Sequence, residues 1–475
     1  MKALTTGLVA TLVLVGAARA EPSKLRVDGG VLVGSLEDGV RTFKGVPFAK
    51  PPVGDLRWRP PQPTSWTGER DATHYALPCL QPTPADGRPN GGGVAGASSE
   101  DCLYLNVWAP KDARNAPVMV FLYGGAGYLG AASVPTYDGT SLAKQGVILV
   151  TVNYRLGMLG QFAHPALTKA AAGNEGLANY QLMDAIAGLQ WVQRNGKALG
   201  ADTKNVTLFG QSAGAVLVAG LQSTPPSRGL FQKAIIQSAV PQVGGGRTLA
   251  EAEADGVKFA NALGLPGAGA TSEQLRALPA DQVISEKARF GFQGGNYLVL
   301  DGKVRTTKTG PGFASGVTVD VPLVVGSTNA EFFAPEGYKT VKLASTTGKA
   351  AAWEYVFTFV PPWRKAEQPR GAPHAAELPY VFNSVDRSPK MNGQATDLDR
   401  AVARRMSSCW TAFAKAPVTA TSLTCADGFV WKAYTPESDS LAVFGETPTM
   451  SKAEPLVRAL GEAFPVPPGV GDPAS

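Results

Sequence analysis

Short apolar runs rich in β-branched residues recur along the chain, and several of them end on glycine. Val118 to Leu122 lead into Tyr123-Gly124-Gly125-Ala126-Gly127, and Val206 to Phe209 lead into Gly210-Gln211-Ser212-Ala213-Gly214. Pro322 to Val325 reach Gly326, which is expected to end the run, and WEYVFTFV forms another. Apolar runs of about four to eight residues bounded by turn formers read as strands buried on both faces. Longer stretches of mixed polarity between them read as helices, so strand and helix alternate from Val118 through the turn at Ser212. Other strands precede this region, a helical and loop-rich insertion covers roughly Leu249 to Gly316, and a C-terminal helix covers about Arg400 to Lys415. The pattern predicts an α/β fold, with a mostly parallel central sheet and helices on both faces.

The turn at Ser212 carries the first chemical signal. A strand that reverses sharply into a helix leaves no room for side chains two residues before and after the turn, which explains glycine at 210 and 214. The serine between them is held strained and exposed, as a nucleophile must be. A serine hydroxyl is a weak nucleophile near neutral pH, so it needs a histidine base and an orienting carboxylate, in the chain order Ser, acid, His. The chain has only three histidines, and His74 and His164 precede Ser212, which leaves His374. Glu331 follows the Pro322–Val325 strand, where open α/β sheets place their working groups. Asp301, Asp320 and Glu336 compete with it, in surroundings that read as turn or surface. The loop Tyr123–Gly127 is made of small residues whose N–H groups can approach a developing oxyanion closely.

Composition narrows the setting. The 475 residues, 44 % hydrophobic, are compatible with one large domain spanning residues 21–475, and no internal repeat is visible. Residues 1–20, MKALTTGLVATLVLVGAARA, have a Lys2 start, an apolar stretch too short to span a bilayer and Ala18-Arg19-Ala20 before Glu21. That combination predicts a secretory signal peptide cleaved after Ala20, and a secreted or periplasmic protein without stable membrane insertion. Four cysteines suit export, and local proximity favours Cys79 with Cys102 and Cys409 with Cys425. Scarce histidines and the lack of close Cys pairs argue against a metal site, and no cofactor is expected. The net charge of +6 loses two units with Lys2 and Arg19, too little in so long a chain to indicate nucleic acid. Trp363, Arg364, Lys365 and Arg370 read as a solvated loop rather than a substrate-recruiting rim. Asn205-Val206-Thr207 matches a glycosylation sequon but reads as a strand-start turn. The glycine-rich stretch between Cys79 and Cys102 reads as a flexible surface loop, and the end from about residue 464 as a disordered tail. Oligomeric state leaves no signal.

Taken with FKGVPFAKPPVGDLRWRPPQP, SSEDCLYLNVWAP, VTVNYRLGMLGQF, GLFQKAIIQSA and CWTAFAK, these segments make the mature chain resemble a type-B carboxylesterase. That is the cholinesterase and para-nitrobenzyl esterase family of the α/β-hydrolase fold. The resemblance implies Ser212 as nucleophile, Glu331 as acid, His374 as base, and the amides of Gly125, Ala126 and Ala213 as oxyanion donors. It also supports the Cys79–Cys102 pair. Three departures stand out. Gln211 occupies a position where the family often has Glu, and Gly127 one where a bulky aromatic is usual, which is expected to loosen the oxyanion loop or widen the pocket. Only 43 residues separate Glu331 from His374, where relatives usually carry several helices. Here a linker, LASTTGKAAA, is expected to lead straight into WEYVFTFV, giving a reduced helical cap. The expected function is hydrolysis of small-molecule carboxylic esters through an acyl-enzyme, in a broad pocket near Gly127, Tyr128, Phe332 and Phe333. Alternatives are a non-catalytic cholinesterase-like binding protein, whose kind lose triad members, or a lipase or amidase with the same triad.

Overall fold

The computed structural model describes residues 20–239, 246–285 and 298–465. The signal-peptide reading therefore lies outside the described residues, apart from Ala20, as does the tail beyond Pro465. Phe464, at the expected start of that tail, lies under the Arg370 guanidinium at 4.3 Å.

Thirteen strands form one sheet: β1 (Glu21–Val27), β2 (Gly30–Glu37), β3 (Val40–Pro47), β4 (Glu69–Asp71), β5 (Tyr104–Pro110), β6 (Ala116–Leu122), β7 (Ile148–Val152), β8 (Ala201–Gln211), β9 (Lys233–Gln237), β10 (Leu323–Thr328), β11 (Ala352–Phe357), β12 (Ser440–Phe444) and β13 (Pro448–Lys452). Their order is β1-β2-β3-β5-β7-β6-β8-β9-β10-β11-β12-β13, with β4 beside β2. The middle of the sheet, from β7 to β12, is parallel, and antiparallel strands extend it on both sides. The chain leaves β6 to form β7 on one side and returns to form β8 on the other. The carboxyl ends of β6 and β8 thus flank a topological switch point, the place where open α/β sheets bind ligands. Both strands are wholly buried along their last residues, which is why they read as continuous apolar runs.

Helices α1 (Tyr180–Leu199), α2 (Ala213–Gln222), α3 (Leu249–Ala262), α4 (Ala334–Thr347), α5 (Asp397–Lys415) and α6 (Ala453–Ala463) connect or flank these strands. α1 packs closely because Gly188 faces Val152, where a Cβ would stand 2.8 Å from the valine methyl. α5 begins at a reciprocal cap between Thr396 and Asp399, a device that satisfies two otherwise orphan N–H groups. Two ion pairs tie loops to this frame: Arg57 with Glu100, partly buried, and Arg155 with Asp184, buried. Disulfides join Cys79 to Cys102 and Cys409 to Cys425. No described helix is long and apolar enough to cross a membrane.

Four local expectations give way to packing. Gly326 does not end its strand, which continues to Thr328; a Cβ at 326 would stand 2.1 Å from the Tyr355 ring, so the glycine admits a neighbour's side chain. The supposed linker after Glu331 is the end of α4, a 14-residue helix whose Val341 is fully buried and whose Gly337 faces Val325. The Glu331–His374 interval therefore holds one α-helix, one strand and a single 3-10 turn at Pro362–Arg364. Asn205 lies inside β8, and its side-chain oxygen accepts from the buried Lys233 ammonium at 2.7 Å, which gives the residue a structural task. Finally, the loop closed by Cys79–Cys102 lies at the surface as expected, but its base is anchored: Gln81 donates to the Gly130 carbonyl and accepts from the Gly130 N–H, both at 2.8 Å.

Candidate active site

The residue after β8 has the backbone the sequence calls for. Ser212 sits at φ 55°, ψ −125°, a conformation that costs a non-glycine residue about 1–3 kcal/mol and persists only where its surroundings enforce it. Enforcement comes from the N–H of Ser212 donating to Gln237 O at 2.8 Å and from α2 starting at the next residue. Both flanking glycines are obligatory. A Cβ at 214 would stand 2.0 Å from Leu122 O, and one at 210 would stand 2.6 Å from the Gly214 carbonyl carbon.

Beyond β6, the Tyr123 and Tyr154 rings stack with centroids 4.4 Å apart, and each hydroxyl donates to the other residue's carbonyl. This clamp fixes the start of the loop. Gly124 presses on the elbow, its absent Cβ being 3.0 Å from Ser212 Cβ. Gly125, Ala126 and Gly127 all have positive φ, at 125°, 52° and 74°, so the peptide planes turn outward from the strand. Among the described residues, the N–H groups of Gly125 and Ala126 have no hydrogen-bond partner. Ala213 opens α2, where N–H groups lack intrahelical partners. Gly127 does not leave the loop loose: it is buried, and its carbonyl accepts from Gln181 Nε2 at 2.6 Å and Gly157 N at 2.9 Å.

Glu331, 5 % exposed, follows β10. Its Oε1 accepts from Ser238 Oγ at 2.6 Å and Thr328 N at 2.8 Å, leaving Oε2 to meet His374 Nδ1 at 2.5 Å. The competing carboxylates are committed elsewhere. Asp301 accepts backbone N–H groups of Leu177 and Arg305, Asp320 those of Lys349 and Ala350, and Glu336 pairs with Lys339. His164 caps a short helix and contacts Gly267 O, while His74 lies at the surface beside Asp71. His374 is held by its loop, whose Ala372 pairs with Ala330 and Asn329, and its side chain is 41 % exposed. Burial disfavours its charged form, yet the hydrogen bond and charge of Glu331, with the charge of Glu377, outweigh this and raise its pKa above the ordinary value.

Of three further neighbours, Ser238 and Glu377 carried no signal in the sequence and Gln211 stood out only as a missing charge. Ser238, itself at φ 54°, fixes one oxygen of Glu331. Glu377 is fully buried; loss of hydration and the nearby Glu331 charge push its pKa up to about 6. Gln211 places its amide nitrogen 3.1 Å from His374 Nε2. Of the expected pocket residues, Phe333 lies 5.9 Å from the His374 ring and meets Phe332 at 4.3 Å with the rings tilted by 38°, while Tyr128 borders Gly157. In the basic loop, Arg364 covers Trp363 and donates to Lys390 O, and Arg370 donates to Ala463 O. The guanidinium groups of this loop brace the protein.

A family model described as the carboxylesterase family matches residues 21–338 and 323–457. Fumonisin B1 esterase of Sphingopyxis macrogoltabida is 34 % identical over 480 residues, covering 87 % of this chain and 85 % of that one. Para-nitrobenzyl esterase of Bacillus subtilis (strain 168) is 33 % identical over 501 residues, covering 91 % and 98 %. A solved structure titled thermophilic PNB esterase superposes with a TM-score of 0.77 at 29 % identity, over 92 % of this chain and 99 % of that one.

Proposed function

The chain belongs to the carboxylesterase family and is a carboxylic ester hydrolase, and from that premise we propose that it works through Ser212, His374 and Glu331. The observation that carries this reading is the Glu331–His374 pair, set beside a strained serine and a loop whose Gly125 and Ala126 N–H groups have no partner among the described residues. His374 Nε2 takes the Ser212 proton as Oγ attacks the ester carbonyl carbon. The N–H groups of Gly125, Ala126 and Ala213 stabilise the oxyanion, each worth roughly 3–4 kcal/mol in comparable sites. His374 then protonates the leaving alcohol, a water attacks the acyl-enzyme with the same base, and the acid departs. Ser212→Ala and His374→Ala will each lower kcat by several orders of magnitude, and the double variant by little more, because the residues act as a unit. Retention of more than about a tenth of the activity in Ser212→Ala overturns the reading.

The substrate is a small ester with a bulky or aromatic group. Supporting this are the one-helix interval before His374, the partial exposure of that ring, and the Phe332–Phe333 pair beside it. Purified enzyme assayed on p-nitrophenyl esters of graded acyl size will show kcat/KM for aromatic or branched esters equal to or above that for acetate. A preference for acetate of more than tenfold contradicts the open pocket. The protein is exported by residues 1–20; N-terminal sequencing of the mature protein that begins elsewhere than Glu21 rejects the proposed cleavage.

A further inference from the structure

Gln211, the residue before the nucleophile, is 2 % exposed and touches the base. Its amide nitrogen is 3.1 Å from His374 Nε2. Its amide oxygen lies against Gly124, where a Cβ would be only 2.6 Å from it. The other ring nitrogen, Nδ1, faces Glu331 Oε2. An ionised carboxylate only accepts, so the single proton of the neutral imidazole resides on Nδ1 and Nε2 presents a lone pair. A lone pair requires a donor, which makes the Gln211 group facing it the NH₂. Among the described residues the Ser212 hydroxyl has no hydrogen-bond partner, so in the free enzyme the basic nitrogen is engaged by the amide.

We propose that Gln211 is a positioning residue: by donating to Nε2 it reinforces the Nδ1–H tautomer that Glu331 selects and orients the His374 ring, and it yields that nitrogen to the Ser212 hydroxyl when an ester enters. This rests on the triad reading above. The charges around His374 explain why an amide suits this place. Glu331 bonds Nδ1, Glu377 lies buried three residues along the same loop, and Lys390 donates to the Ala375 carbonyl beside it. Two carboxylates already raise the proton affinity of the ring. A third at Nε2 would have nothing to accept from neutral imidazole and would favour the imidazolium, moving the working range of the base to higher pH. An amide donates to the neutral ring and, turned over, presents its oxygen to the Nε2–H formed during attack. It serves both protonation states without adding charge.

The test compares wild type, Gln211→Met and Gln211→Glu by histidine-selective ¹⁵N NMR and by pH profiles of p-nitrophenyl butyrate hydrolysis. Three histidines make the spectrum simple, and His374→Ala assigns the signal. In wild type above the titration, His374 shows the Nδ1–H tautomer. Gln211→Met is expected to raise the Nε2–H fraction and lower kcat about tenfold. Gln211→Glu is expected to move both the ¹⁵N inflection and the acid limb of kcat/KM upward by at least one pH unit, since an opposite charge this close shifts a pKa by about 1–3 units. If both variants fold with melting temperatures near wild type and leave the His374 tautomer and inflection unchanged, the proposal fails. The NMR readout does not depend on turnover. If Ser212→Ala proves fully active, the triad reading falls, while the ¹⁵N titration still decides the role of Gln211.

Discussion

Replacing Glu331 by glutamine exchanges one carboxylate oxygen for an NH₂ group, and the donors around the side chain decide which. Oε1 accepts from the Thr328 backbone N–H and from the Ser238 hydroxyl. A hydroxyl can turn to accept, but a backbone N–H cannot, so the amide oxygen of the substituted side chain must take the Oε1 place. Its NH₂ then faces His374 Nδ1, which Oε2 contacts in the native protein. Facing a donor, Nδ1 gives up its proton and the ring adopts the Nε2–H tautomer. That ring cannot accept the serine proton, and its Nε2–H meets the Gln211 NH₂ head-on until that amide turns over. The stabilising charge on the imidazolium is lost as well. Imposing the wrong tautomer in a serine triad typically costs about 10⁴ in kcat, or roughly 5 kcal/mol at 1.36 kcal/mol per tenfold. The assay is steady-state hydrolysis of p-nitrophenyl butyrate at pH 8, with circular dichroism to confirm folding. Residual activity will be near 10⁻⁴ of wild type, and the acid limb will move to lower pH because the Glu331 charge no longer supports the imidazolium. A folded Glu331→Gln enzyme with more than a tenth of wild-type kcat refutes the tautomer argument.

Three further outcomes are expected. The base must be neutral to act, and Glu331 and Glu377 raise its pKa against the opposing effect of burial. Hence kcat/KM rises with pH through a value above the ordinary histidine value of about 6.5 and then levels off; an inflection at or below pH 6 contradicts the charge arrangement. Gln81→Leu removes both bonds to Gly130, which closes the oxyanion loop. It is expected to lower kcat about tenfold or more with a smaller effect on KM, since losing a single oxyanion donor costs roughly 10²–10³; stopped-flow acylation rates check this. Gly214→Ala would place a Cβ 2.0 Å from Leu122 O, so the variant will melt well below wild type in a thermal-shift assay and lack activity.

The residues proposed to do the work were legible because their chemistry is tied to local backbone. Glycine at 210 and 214, between an apolar strand and a small-residue helix start, points to the elbow, and elimination among three histidines points to His374. The strands that carry the site were legible because burial on both faces removes polar residues. What sequence did not yield depends on partners distant in the chain. Gly326 reads as a strand end, yet it makes room for Tyr355 from the next strand. α4 reads as a linker because Ser, Thr and Gly are weak helix formers, while burial of Val341 holds it helical. Ser238 and Glu377 look like any serine and glutamate until β9 and the His374 loop bring them beside Glu331. Gln211 stands out in the sequence only as an absent charge; the structure turns it into a hydrogen bond to the base.

The claim on which the account stands is that Ser212 becomes covalently acylated. A p-nitrophenyl organophosphate, which resembles the tetrahedral intermediate and does not deacylate readily, will inactivate the enzyme with one adduct per chain. Peptide mass mapping will place that adduct on Ser212, and Ser212→Ala will take up none. An adduct on another residue, or full activity in the labelled enzyme, contradicts the account.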